Sequence, residues 1–282
     1  MADRITIRIG HSPDPDDAFM WYPLAQPARV DTGPFQFVHV LEDIQSLNER
    51  SERGELEVTA ISIHQYPYVA KHYAMTTCGA SMGDGYGPMV VAREGFKLEE
   101  LKGKRLAIPG RRTSAWLALQ LRLGGTAEAE VVPFDQIIAR VQDGTFDAGL
   151  IIHEGQLTYR NAGLVCIEDL GKWWKATRGL PLPLGGNCIR RDIGSRMGPL
   201  CRVLLDSIEY ALAHREEAVE YALNYARDMG ADLADRFVGM YVNDWTLDYG
   251  PKGRQAVQQF LAEAAKAGIT PEVGAIDFVA PA

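Results

Sequence analysis

From residue 4 to residue 9 apolar and polar positions alternate, with Ile5, Ile7 and Ile9 on one side; this spacing predicts a strand. A short helix over 18–24, capped by an aspartate, follows a loop rich in proline and aspartate. Residues 35–41 predict a second strand, and 43–52 a helix with Ile44 and Leu47 on one face. Residues 58–63 form a short buried-strand pattern, followed by a helix through Tyr68 to His72. A strand over 74–81 leads into the glycine-rich stretch 82–88, and residues 88–92 begin another strand. Beyond it come strands at 105–108, 131–133 and 146–152, separated by a helix over 115–123 and by Phe134, Ile137, Ile138 and Val141 at helical spacing.

The last third reads as helical. Leu200, Val203, Leu204, Ile208, Ala211 and Leu212 form one apolar stripe. Phe237, Val238 and Tyr241 form a shorter one, and Ala256, Val257, Phe260, Leu261 and Ala264 a third. Strands alternating with short helices predict an α/β fold with mainly parallel strands. The order predicts a larger lobe from residues 1–90 and 190–282, interrupted by a smaller α/β lobe at 91–189. Strand-like crossovers at 88–92 and 184–190 form the expected two-strand hinge. Ligands of such folds bind in the cleft between the lobes, at the carboxyl ends of strands.

Composition narrows the function. The 282 residues carry 29 Lys+Arg against 37 Asp+Glu, a net charge of -8. A uniformly acidic chain lacks the basic footprint that a phosphate backbone requires, so no nucleic-acid partner is expected. No apolar run approaches the roughly 20 residues that span a bilayer, so no membrane partner is expected either. The first ten residues show no apolar block before a cleavage site, which predicts a cytoplasmic protein. Cys78, Cys166, Cys188 and Cys201 lie far apart without zinc-ligand spacing and are expected to be reduced, mostly packed thiols. Nothing in the pattern fixes an oligomeric state.

Four strand ends carry candidate chemistry. Ser12-Pro13-Asp14-Pro15-Asp16-Asp17 follows the first strand; its carboxylates either bind substrate hydroxyls, orient a base, or cap the helix through Asp16 or Asp17. Thr113, Ser114 and Ala115 open a helix after a strand, which is either an anion site or a simple cap. The Gly-Lys-[Ser/Thr] ending of a phosphate loop is missing there, which favours a small-molecule carboxylate over a nucleotide. His153 comes directly after a buried strand, where an imidazole suits proton transfer; a backbone-bonded structural histidine is the alternative. Ser62 and His64 end another strand and either contact ligand or cap the next helix. His39, His72 and His214 have no surrounding cluster, and Trp173-Trp174 reads as a packed pair.

Together these motifs carry a family resemblance over nearly the whole chain. The residues are 10–17 with Phe19, Leu41-Glu42-Asp43-Ile44 with Leu47-Asn48, and Gly87 to Arg93. Pro109-Gly110-Arg111 with Thr113, 149–154 with Thr158-Tyr159, 179–185, and Tyr241-Val242-Asn243 with Leu247-Asp248 complete the set. In this ordered set the chain resembles the 1,4-dihydroxy-6-naphthoate synthases of menaquinone biosynthesis by the futalosine route. The resemblance implies a two-lobed fold of the periplasmic-binding-protein type II kind, and a lyase that converts cyclic dehypoxanthinyl futalosine to 1,4-dihydroxy-6-naphthoate. It implies His153 as proton acceptor, and Ile61, Ser62, Ile63, Thr113, Ser114 and Ala115 as substrate contacts, with Asp17 in the adjoining loop. No metal or organic cofactor is implied. The family commonly shows Ser-Pro-Cys-Pro-Asn-Asp where this chain has Asp14 and Asp16 at the third and fifth positions, and often a lysine at Ala60. A non-catalytic binder of a small aromatic acid, a paralogue with another ligand, and a chorismate dehydratase are the alternative readings.

Overall fold

The computed structural model describes residues 4–26, 28–125, 127–226 and 230–282. Twelve strands run in chain order: β1 (Ile5–His11), β2 (Phe35–Leu41), β3 (Val58–Ser62), β4 (Tyr73–Thr76), β5 (Ser81–Gly83) and β6 (Met89–Ala92), then β7 (Leu106–Ile108), β8 (Ala129–Val131), β9 (Ala148–Ile151), β10 (Val165–Asp169), β11 (Leu182–Arg190) and β12 (Phe278–Val279). They form two sheets. One has the order β12-β4-β11-β3-β1-β2, with β5 also paired to β11; the other has the order β10-β6-β9-β7-β8.

The sheets are mixed rather than mainly parallel. Every pairing that involves β6, β10 or β11 is antiparallel, and the others are parallel. Hydrophobic spacing reports which face of a strand is buried and is blind to the direction of its neighbour. The two expected crossovers are strands, but β6 lies in the second sheet and β11 in the first. Where the chain passes between sheets, the antiparallel pair is β5 with β11, Gly83 opposite Leu182. The single strand expected over 74–81 is split. Gly79 has φ +74 between β4 and β5, and its N–H bonds to the carbonyl of Thr246 instead of to a sheet partner.

Helix starts follow local chemistry. Pro15 occupies the first turn of Pro15–Ala25, where its missing N–H costs nothing. The carboxylate of Asp43 accepts from the N–H groups of Gln45 and Ser46 at 3.0 and 3.1 Å, which starts Ile44–Glu52. All three C-terminal stripes are buried where expected: Leu200, Val203, Leu204, Ile208 and Ala211 pack with Ile7, Ile9 and Phe19, and Val257, Phe260 and Leu261 join the core around Trp174. Trp173 and Trp174 pack edge to face at 5.7 Å, remote from the pocket described below. Helix Leu170–Arg178 lies so close to the crossing chain that a Cβ on Gly171 would sit 1.9 Å from the carbonyl oxygen of Tyr86. Among the described residues no helix is long and apolar enough to cross a membrane.

One buried ion cluster ties β1, β3 and β11 together. Glu57 accepts from the Arg8 backbone N–H at 2.9 Å and from its guanidinium at 2.6 and 2.8 Å, and Arg190 lies 3.0 Å away. Burial raises the Glu57 carboxyl, but the Arg8 hydrogen bonds and the two guanidinium charges overcome it and hold the group down at about 2. Its stabilising effect is therefore complete above the ordinary value of 4.5 and is lost as pH falls towards 2. Hydrogen bonds to a charged group contribute about 1.5–3 kcal/mol, less where a partner is as exposed as Arg8. Glu57→Gln is expected to lower Tm at pH 7, with the deficit shrinking between pH 5 and pH 2.5 in thermal melts; a pH-independent deficit would contradict this assignment.

Candidate active site

The strand ends converge on one pocket. It is lined by Ser12, Asp14, Asp16 and Asp17 after β1, by Ala60, Ile61 and Ser62 of β3, and by Thr113, Ser114 and Ala115 after β7. Ile152, His153 and Gln156 follow β9, Leu184 to Asn187 come from β11, and Phe237 and Tyr241 from helix Ala231–Tyr241. Seven of the eight residues singled out from the sequence lie on this wall. Ile63 does not: it is fully buried and packs in the core beside Tyr249. The chain turns into a short helical segment after Ser62, so the next side chain points away from the cleft.

Helix Ser114–Leu123 supplies the anion-binding geometry. Thr113 is its cap, accepting from the Trp116 N–H at 3.3 Å. The first-turn N–H groups of Ser114 and Ala115 have no intrahelical acceptor and lie at the positive end of the helix dipole. The Ser114 hydroxyl is committed to the protein: it donates to the carbonyl of Leu184 at 2.5 Å and accepts from the His64 N–H at 3.2 Å. What Ser114 offers a ligand is its backbone. His64 is a buried structural residue, its Nδ1 3.1 Å from the carbonyl of Thr113. Ser62 is held by Asn48, whose Oδ1 accepts from the Ser62 N–H at 2.9 Å and whose Nδ2 donates to its hydroxyl oxygen at 3.0 Å. The Ser62 hydroxyl hydrogen remains available to a ligand.

On the loop after β1, Asp14 is the helix cap residue but its side chain makes no cap hydrogen bond. Asp17 instead accepts from the Ser12 N–H at 2.7 Å and closes the loop on itself. Asp14 Oδ2 lies 3.3 Å from His153 Nδ1, with side-chain exposures of 1% and 16%. The ring of Phe134 lies 4.5 Å from the imidazole. His153 has φ +57, a left-handed backbone that costs a non-glycine residue roughly 1–3 kcal/mol and occurs preferentially at functional sites. Its Nε2 is buried without a hydrogen-bond partner, as are Ser12 Oγ, Asp16 Oδ1 and Asn187 Oδ1. No lysine or arginine lines the pocket among the described residues. Burial raises the Asp16 carboxyl far above the usual range, and Asp17 and Asp14 add to this against the opposing pull of His153. Burial raises Asp17 too, partly offset by its bond from Ser12.

A family model described as menaquinone biosynthesis matches residues 7–266. The chain belongs to that family. This menaquinone-biosynthesis enzyme is 40% identical to the 1,4-dihydroxy-6-naphtoate synthase of Thermus thermophilus, covering 93% of this chain and 95% of the relative. It is 37% identical to the protein of the same name from Streptomyces coelicolor, covering 95% and 96%. Protein AF1704 of Archaeoglobus fulgidus is 44% identical with a TM-score of 0.89, covering 94% of this chain and 98% of that one. The fold is that of periplasmic binding proteins. The aliphatic sulphonate binding protein SsuA of Escherichia coli aligns with a TM-score of 0.68 at 13% identity, over 96% and 90% of the two chains.

Sequence reasoning missed several residues of the enzyme's site. Asn48 entered only through the resemblance, although it sets Ser62. Gln156 and Tyr241 were not singled out as site residues; the Tyr241 hydroxyl donates to Gln156 Oε1 at 2.8 Å and joins two segments of the pocket wall. His39, expected to stand alone, meets His11, whose Nε2 lies 2.9 Å from His39 Nδ1. Burial pushes His11 down to about 3 and His39 adds to this. Such pairs join residues 14 to 85 positions apart, and no local spacing announces them. Cys78 and Cys201 likewise meet at 4.0 Å although both are free.

The raised Asp16 carboxyl favours the folded state when protonated. Its contribution is complete below the ordinary 3.8 and is lost as pH rises through the higher folded value. Asp16→Asn is expected to raise Tm relative to wild type by several degrees at pH 8.5, with the advantage fading by pH 4, as read by calorimetry across that range. An advantage that does not change with pH would contradict the burial of this group.

Proposed function

We propose that the protein is a 1,4-dihydroxy-6-naphthoate synthase, a lyase that acts on cyclic dehypoxanthinyl futalosine with His153 as general base. The observation that carries the reading is the buried, unpartnered Nε2 of His153 in the same pocket as the open helix start at Thr113–Ala115. The curated relatives of that name, matched over nearly their whole length, support the reaction class.

The pocket suits a substrate with two unlike ends. Its carboxylate docks on the N–H groups of Ser114 and Ala115, where the helix dipole favours negative charge. The Ser62 hydroxyl donates to the bound molecule, and apolar Ile61, Ala60 and Ile152 flank its rings. Hydroxyls of the sugar-derived part meet the acceptors Asp16 Oδ1 and Asn187 Oδ1, which have no protein donor. The lobes taken as 1–90 with 190–282, and 91–189, close over the ligand and exclude water.

His153 Nε2 takes the proton of a hydroxyl on the sugar-derived part. The oxygen electron pair forms a C=O bond as the carbon–carbon bond to the ring system breaks in a retro-aldol sense. The electrons of that bond pass into the ring, whose oxygen takes the proton back from His153, giving the aromatic naphthalene diol, and the sugar-derived fragment leaves as a carbonyl compound. Aromatisation supplies the driving force. No oxidant or reductant enters this balance, since the electrons of the broken bond stay in the ring.

The test is turnover of purified protein with the cyclic substrate, followed by mass spectrometry. Wild type is expected to release the naphthoate. His153→Ala is expected to lose roughly 10²- to 10⁴-fold in kcat with KM little changed. Undiminished turnover by the variant removes His153 from the chemistry. A substrate mass left unchanged by wild type contradicts the synthase and points to a binding protein.

A further inference from the structure

Asp14 and His153 belong to different sheets. Asp14 follows β1 of the first and His153 follows β9 of the second, yet their side chains meet within the pocket at 3.3 Å. The contact is not a by-product of helix capping, because the Asp14 carboxylate caps nothing by its side chain. The backbone at His153 is left-handed, and the Phe134 ring packs against the imidazole at 4.5 Å.

A neutral imidazole carries one proton on two nitrogens. The Asp14 carboxyl oxygen beside Nδ1 lies at ion-pair distance, without the geometry of a hydrogen bond. Negative charge at that oxygen draws the proton to Nδ1 and leaves the lone pair on Nε2. That nitrogen is the one buried without a partner. We infer that Asp14 is a positioning residue for the proposed reaction: it holds the Nδ1–H tautomer of His153, so that Nε2 is the base, and it stabilises the imidazolium formed when Nε2 takes the substrate proton. This deepens the synthase reading and rests on it for its catalytic consequence.

The surrounding charges agree. Asp14, Asp16 and Asp17 from the loop and helix after β1, and Tyr241 from helix Ala231–Tyr241, line the same pocket as the ring, and Glu154 is next in sequence; no lysine or arginine lines the pocket among the described residues. The proton moves from substrate to Nε2, and no atom of Asp14 enters a product.

The test pairs kinetics with a direct reading of the tautomer. In ¹⁵N spectra of the ligand-free protein near neutral pH, with the His153 signals assigned by their loss in His153→Ala, wild type is expected to show the Nδ1–H form. Asp14→Ala is expected to shift the ring towards a mixture of tautomers. The same variant is expected to lose about 10- to 100-fold in kcat with KM within threefold. Asp14→Asn, which keeps the shape and removes the charge, is the second variant, with at least a tenfold loss in kcat. A wild-type ring protonated on Nε2, a tautomer unchanged in Asp14→Ala, or kcat within threefold of wild type in both variants would overturn the inference. Should wild type fail to consume the cyclic substrate, the synthase reading falls on its own, while the tautomer spectra still decide whether Asp14 sets the imidazole.

Discussion

The hydroxyl of Ser114 is the tie on which the pocket depends. It donates to Leu184 of β11 and accepts from the N–H of His64 just past β3, while its own backbone begins the helix that follows β7 of the other sheet. One side chain thus fastens a helix start of the second sheet to two strands of the first. That attachment sets where the open N–H groups of Ser114 and Ala115 stand relative to Ser62 and β11. Mainly antiparallel pairing around β11 follows from the same need, because the chain must return from the second sheet alongside the strands it left.

The pocket divides its polar work unequally. The helix start contributes partial positive charge without a titratable group. The loop after β1 contributes three carboxyl groups within four positions, more negative charge than one imidazole can balance. The structure resolves this by giving each a different environment. Asp14 faces the ring, Asp17 takes the Ser12 N–H, and Asp16, with one oxygen unpartnered, is driven towards its neutral form by burial.

Much of this was legible in the sequence. Strand and helix positions followed from apolar spacing, and the strand-end rule placed His153, Ser62 and Thr113–Ala115 on one cleft before any coordinates. What spacing does not encode was missed. The split between β4 and β5 turns on the left-handed Gly79, the antiparallel pairings on chain direction, and the misplacement of Ile63 on a turn that begins one residue earlier than an extended reading allows. Asn48, Gln156 and Tyr241 act through side-chain hydrogen bonds to residues 14 to 85 positions away, and the left-handed backbone of His153 has no signature in its neighbours.

The central claim is that the substrate lies between the helix start and the Nε2 of His153. A crystal structure of the His153→Ala variant with the cyclic substrate bound tests it most directly. The account predicts the carboxylate within about 3.2 Å of the Ser114 and Ala115 nitrogens, with the sugar-derived part beside the vacated imidazole position. A carboxylate seated away from that helix start, or a sugar-derived part turned from residue 153, would contradict it.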